Sequence, residues 1–211
     1  MIRILAITIL STLCTTTAVF SQINDYGVKL GTQSAGVYSE PSADSRVLGF
    51  SAYGFIDFQL SDRFFSTIDL GITQRGFKNA QNETNEVGQV IQRVEATSRL
   101  SYLSLNSLLN VEVFGNSQKL FFGIGPRFDL LVSRSPGEYE FTNITVREEI
   151  IDDFNEFAFG STITAGIKNI SVQELNLRLE AKYEVDITDS FSDHPREFRN
   201  NVIMFVIGIG F

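Results

Sequence analysis

From residue 25 onward the chain alternates between apolar and polar positions. Between Leu175 and Ile187 one row reads Leu175, Leu177, Leu179, Ala181, Tyr183, Val185, Ile187, and the row between them reads Asn176, Arg178, Glu180, Lys182, Glu184, Asp186. Successive side chains leave an extended strand on opposite faces, so this pattern predicts a strand with one apolar and one polar face. It recurs at 25–35, 48–60, 64–77, 99–113, 119–133, 155–167, 174–187 and 201–211, and no stretch sustains a helical period with caps. The expected fold is all-β: an eight-stranded antiparallel up-and-down barrel.

The connections fall into two kinds. Those after the second, fourth and sixth strands are short ("SDR", "FGNSQ", "NISVQE"). Those after the first, third, fifth and seventh are longer and polar, among them "NAQNETNEVGQVIQRVE" and "SPGEYEFTNITVREEIIDDF". Short turns at one end and long loops at the other characterise a transmembrane barrel with both termini on the periplasmic side.

Alternation alone does not say which face is wet, because a soluble ligand-binding barrel would alternate too. Three features turn the apolar rows outward to lipid. Gly27, Gly31, Gly71, Gly123, Gly125, Gly160, Gly166, Gly208 and Gly210 all lie in polar rows, with Gly54 the exception. Glycine weakens a water-facing strand for little return, but it makes room inside a narrow barrel whose lumen is filled by side chains. The apolar rows, such as Phe122, Ile124, Phe128 and Leu130, are bulky and nearly free of charge. A Lys or Arg on a lipid-facing midplane position would cost about 2–4 kcal/mol. The final row, Phe205, Ile207, Ile209 and Phe211, has the form of a C-terminal strand closing on an aromatic, and is the expected recognition signal for barrel assembly.

The first residues change the picture of where the chain works. Arg3, an apolar run from Ile4 to Leu13 and small residues before Gln22 read as a secretory signal peptide over 1–21, followed by a barrel domain over 22–211. A lipidated variant would use Cys14, but the bulky Leu13 stands where such sites want a small residue. Of 17 basic and 25 acidic residues only Arg3 lies in that segment, so the mature charge is −9 and the single cysteine is lost with the leader. Disulfide chemistry and nucleic-acid binding are both disfavoured.

"GFIDFQLSDRFFSTIDLGITQRGFK", "SYLSLNSLLN" and "KLFFGIGPRFDLLVSR" resemble successive blocks of the outer-membrane β-barrel domain of Bacteroidetes, the PorT-like or porin family. The likeness covers essentially the whole mature chain. Asn106 stands where that family usually has proline. The resemblance implies a bacterial outer-membrane fold and specifies no activity.

Candidate chemistry concentrates in the inferred lumen. Lys29, Asp57, Asp69, Arg127, Asp129, Arg178, Glu180, Lys182 and Glu184, with Glu112 and Asp186, share the polar rows. Buried charge persists only when paired and hydrogen-bonded, so a network is expected, with Arg127 and Arg178 as hubs. It would be either a plug or a narrow polar path. His194, near Ser190, Ser192 and Asp193, does not amount to a hydrolase triad from adjacency alone. Glu148, Glu149, Asp152, Asp153 and Glu156 lack the spacing of an EF-hand and read as a solvated acidic loop. With no Trp, the interfacial aromatic girdles would use Tyr26, Tyr53, Tyr102, Tyr183 and Phe211. No cofactor or metal is expected. The expected partners are outer-membrane lipids, the barrel assembly machinery and an extracellular or envelope protein bound through the loops. A small-solute channel and a lipid-modifying enzyme are the alternatives to this structural or adaptor role.

Overall fold

In the computed structural model, strands β1 (Gln22–Tyr38), β2 (Val47–Gln59), β3 (Phe64–Thr84), β4 (Val90–Phe114), β5 (Lys119–Ser135), β8 (Phe157–Val172), β9 (Leu175–Asp186) and β10 (Arg199–Gly210) form a closed antiparallel barrel. Two short strands, β6 (Glu138–Glu140) and β7 (Thr145–Arg147), pair with each other outside it. The structure describes residues 22–38, 46–84, 87–114, 118–142, 145–147, 154–172, 175–188 and 199–211. The expected leader, His194 with its neighbours, and Glu148, Glu149, Asp152 and Asp153 lie outside these residues. Glu156 is exposed.

Neighbouring strands pair in sequence order, and β1 closes the ring on β10 from Gly27↔Gly210 to Tyr38↔Arg199. Closure leaves no free edge within the membrane, where an unpaired peptide group has no water to bond. At the end carrying both termini, the β2–β3 turn is pinned by Leu60 N–H and Ser61 N–H, which donate to the Phe64 carbonyl at 2.9 and 3.0 Å. The β8–β9 connection is tighter than "NISVQE" suggested. Strand β8 runs on to Val172 through a bulge between Ile167 and Ile170, beside Asn169 at φ 63°. Asn tolerates this left-handed conformation better than most residues.

The largest departure is after β3, where a long loop was expected. Instead β3 and β4 continue as one hairpin, paired from Lys78↔Thr97 to Thr84↔Val90, with Gly88 at φ 78° in the turn. From Gln74 to Thr84 the hairpin extends about 33 Å at strand rise. A crossing strand needs only about 9–11 residues, so this part stands outside the membrane. β6 crosses its inner face: Tyr139 is buried, Gly137 N–H donates to Ser98 Oγ at 2.8 Å, and the Thr142 hydroxyl donates to Glu83 at 3.0 Å.

The barrel wall is apolar outside. Leu30, Phe50, Leu70, Ile72, Leu103, Leu105, Ile124, Phe128, Ile163, Leu179 and Phe205 are all exposed. Their neighbours along each strand, among them Lys29, Asp69, Ser104, Arg127, Thr162 and Glu180, are buried. The fold is therefore polar inside and apolar outside, the reverse of a soluble protein.

Candidate functional site

The lumen is built from the inner rows of all eight barrel strands. Its middle layer joins β1, β2, β3 and β9. Lys29 Nζ lies 2.7 Å from Asp69 Oδ1 and 2.8 Å from Glu180 Oε1. Lys182 Nζ reaches the other Asp69 oxygen at 2.5 Å and Glu180 Oε2 at 3.3 Å. Arg178 Nε lies 2.7 Å from Glu180 Oε1 as an ion pair, and its Nη1 donates to Asp57 Oδ2 at 3.0 Å. The Thr67 hydroxyl donates to the second Asp57 oxygen at 2.6 Å and accepts from Asn110 Nδ2 at 2.9 Å.

A second layer lies toward the extracellular mouth. Arg127 donates from Nε to Asp129 at 2.8 Å, from Nη1 to Glu184 at 3.1 Å, and from Nη2 to Asp186. Arg75 reaches the same three acids, Asp129 at 2.8 Å, Glu184 at 3.3 Å and Asp186 at 3.5 Å. At the periplasmic mouth Glu112 pairs with both Lys119 and Lys168 at 2.8 Å. Among the described residues, the two inner layers and this mouth cluster set seven cations against seven carboxylates, so the ion-paired set is neutral, with Asp25 half-buried beside it near Asp57 and Arg178. Neutrality matters here because an uncompensated charge in a low-dielectric interior costs several kcal/mol.

All nine proposed lumen residues therefore face inward, and the structure brings them into these two layers rather than one. Arg75, Lys119 and Lys168 complete the paired set and were not among the expected lumen residues. Arg75 shares the parity of Asp69, Gly71 and Thr73, and Lys168 that of Thr162, Thr164 and Gly166. Parity alone identifies both.

The lumen is also aromatic, which the sequence reading did not foresee. Tyr53 and Tyr102 are buried inside and belong to no girdle. Each continues an inward row, Tyr53 with Ser51 and Asp57, and Tyr102 with Ser104 and Asn106. Tyr26 and Tyr183 do face outward, and Tyr26 lies 6.3 Å from the Phe211 ring. Inside, Lys168 sits 3.4 Å over Phe65, Lys29 4.7 Å and Arg178 4.8 Å over Phe55, Arg75 5.0 Å over Tyr102, and Lys182 5.2 Å over Tyr53. An aromatic face attracts a cation most when both are desolvated.

The glycines explain how so much fits. In register, Gly27 faces Phe55, Gly71 faces Tyr53, Gly166 faces Phe121, Gly160 faces Arg127 and Gly208 faces Arg178. A Cβ at Gly166 would come within 2.6 Å of the Phe121 ring, and one at Gly71 within 2.7 Å of Tyr53. The space is used laterally, by the side chain on the next strand.

Over the outer layer lies an apolar cap. Phe154, from the segment after β7, is buried against Leu100 and Tyr102, with Phe77 and Leu131 packed beside them. Its ring stacks on Phe77 at 5.4 Å, and Arg134 Nη2 holds its carbonyl at 3.0 Å. Phe205, Ile207 and Ile209 lie in the outward row of β10 and Phe211 follows directly after the strand, with Phe205 and Phe211 widely exposed.

A closed ring of eight antiparallel strands, apolar outside and filled by paired charge, defines an integral β-barrel of the bacterial outer membrane. The chain matches the outer membrane protein beta-barrel domain over residues 20–192 and belongs to that family. No curated protein matches it. Among solved structures it is similar to Neisserial surface protein A (11% identity, 88% of this chain and 97% of that one, TM-score 0.47). It is similar also to Ail of Yersinia pestis, solved with the heparin analogue sucrose octasulfate (12%, 90% and 100%, 0.47). A third is OprG of Pseudomonas aeruginosa (9%, 89% and 95%, 0.37). At these identities and scores the likeness is one of general architecture and assigns no activity.

Proposed function

We propose that this barrel is a non-enzymatic, non-conducting anchor that displays an extracellular binding surface. The observation that carries this reading is the filling of the lumen. Two ionic layers, aromatic rings and the Phe154 cap occupy the axis, with side chains such as Lys29, Asp69, Arg75 and Arg127 wholly buried. The part available to a partner protein is the β3–β4 hairpin with β6 packed on it and β7 paired to β6, since loops and projecting elements on a rigid scaffold carry recognition. Residues 1–21 would direct export, and the row Phe205, Ile207, Ile209 and Phe211 would be read by the assembly machinery. The PorT-like, Bacteroidetes resemblance remains a proposal about lineage and implies no role in secretion.

The test is planar-bilayer recording of the purified full chain. The expected current equals that of a lipid-only control. Stepwise conductance above the control would establish the alternative, a small-solute channel, and sink the anchor reading.

A further inference from the structure

On the lipid-facing wall, near the extracellular rim, Arg46 lies flat across three strands. Its Nε donates to Ser34 Oγ at 2.9 Å, Nη1 to Asn201 Oδ1 at 2.8 Å and Nη2 to the Ser34 carbonyl at 2.6 Å. Its stem covers Gly36, where a Cβ would meet Arg46 Cγ at 3.3 Å. Ser34 and Asn201 belong to outward rows, between the buried Gln33 and Ala35 on β1 and Asn200 and Val202 on β10. All three acceptors are neutral, and among the described residues Arg46 forms no ion pair. A guanidinium has five N–H donors. Three are used, leaving one on each terminal nitrogen of a cation already fixed in place.

Below it, the same wall has a groove of about 650 Å³, lined by Ala165, Ile167, Leu179, Ala181, Phe205 and Ile207 among others. It exists because Ala165 and Ala181 are register partners, and Ala181 is next to Phe205 on β10. Two small residues thus stand beside an exposed ring in a row where most neighbours are bulky. From Asn201 to Phe205 the distance is about 13 Å along the strand. Half the hydrocarbon thickness of a bilayer is about 15 Å.

We infer that Arg46 and this groove together hold one phosphorylated lipid of the outer leaflet, its phosphate on the two free N–H groups and an acyl chain over Ala165 and Ala181. At headgroup height a guanidinium held in place by three bonds, and without an ion pair among the described residues, favours a phosphate oxygen pair. The groove opens into hydrocarbon, so its occupant is an acyl chain. The separation of the two parts matches one leaflet.

The test uses the full chain, extracted in mild detergent and stripped of lipid, with native mass spectrometry following the binding of lipid A added as the probe. Wild type is expected to hold one lipid A per barrel. R46Q and A181F are each expected to weaken binding at least tenfold while keeping the heat-modifiable gel mobility of a folded barrel. A parallel titration with inorganic phosphate separates a headgroup site from a phosphate site. Binding unchanged in both variants overturns the proposal. So does a loss confined to R46Q with inorganic phosphate competing as an equal, because no acyl component would then remain. If either variant loses folded mobility, S34A and A165L take their places under the same criteria.

Discussion

Asp69 sits between Lys29 and Lys182, one carboxylate oxygen to each. Replacing it by Asn leaves the middle layer with three cations, Lys29, Arg178 and Lys182, against two carboxylates, Asp57 and Glu180. Breaking a buried pair from one side costs roughly 3–5 kcal/mol. D69N should lower the unfolding free energy in lipid vesicles by that order, and adding K182M should restore more than half of it by rebalancing the layer. A double-mutant cycle in urea measures this, and simple additivity of the two losses would argue against a shared layer. Lys119, partly exposed at the periplasmic mouth, should matter far less: K119A is expected to cost at most about 1 kcal/mol. Glycines divide by the same logic of position. A Cβ at Gly71 would stand 2.0 Å from the Ala52 carbonyl and 2.7 Å from the Tyr53 ring, whereas one at outward-facing Gly54 finds nothing nearer than 3.9 Å. G71A should therefore destabilise by roughly 1–3 kcal/mol through overpacking. G54A should be neutral or stabilise by about 0.5–1 kcal/mol, as strand glycine gives way to a residue with less freedom to lose. Equal effects of the two substitutions in the same urea assay would contradict this placement.

At the level of elements, β9 and the distal half of β3 are both strands, but different solvents shape them. Leu179 faces hydrocarbon, and L179R is expected to cost about 2–4 kcal/mol in vesicle refolding. A80R, on the hairpin beyond the membrane, should change stability by less than about 0.5 kcal/mol in the same assay, as most surface substitutions do. This difference also accounts for what the sequence made legible. Lipid forbids charge on one face of Leu175–Ile187, so alternation announces that strand and its orientation. The run Lys78, Asn79, Ala80, Gln81, Asn82 has water or polar neighbours on both faces, so nothing in its pattern separates a hairpin from a loop. Pairing with β4 decides it, including the exposed contact of Lys78 with Glu95 at 3.7 Å. The lumen was legible where charge and glycine mark the inner row, as at Lys29, Asp57 and Arg178. Rings escaped that rule because an aromatic residue suits lipid as well as a desolvated interior. Strict parity places Phe55 between Tyr53 and Asp57, and Phe121 in the row of Gly123, so the signal was present but outweighed by polarity.

For the whole molecule the decisive contact is the one that closes the ring. Strand β10 offers no charge to the lumen from Val202 onward: its inner row is Val202, Met204, Val206, Gly208 and Gly210. The ionic network therefore has to pass over β10 to join β1 with β9. It does so at Gly208, which is in register with Lys29 on one side and Arg178 on the other. Both cations converge on Glu180 Oε1, at 2.8 and 2.7 Å. A Cβ at Gly208 would lie 2.8 Å from Arg178 Cγ and 3.2 Å from Lys29 Cγ. The small residue is thus what lets β1 and β9 share a carboxylate across β10. G208V should force both stems aside and separate Lys29 from Glu180, at a cost of roughly 3–5 kcal/mol for the broken buried contact. The barrel should then close less completely, seen as a larger unfolded fraction in unheated gel samples and a lower urea midpoint in vesicles. V206A, two residues away on the same inner row, removes volume without touching that junction and serves as the comparison. If G208V proved no less stable than V206A, closure would rest on the β1–β10 hydrogen bonds alone, and the charges inside would be filling without a part in sealing the ring.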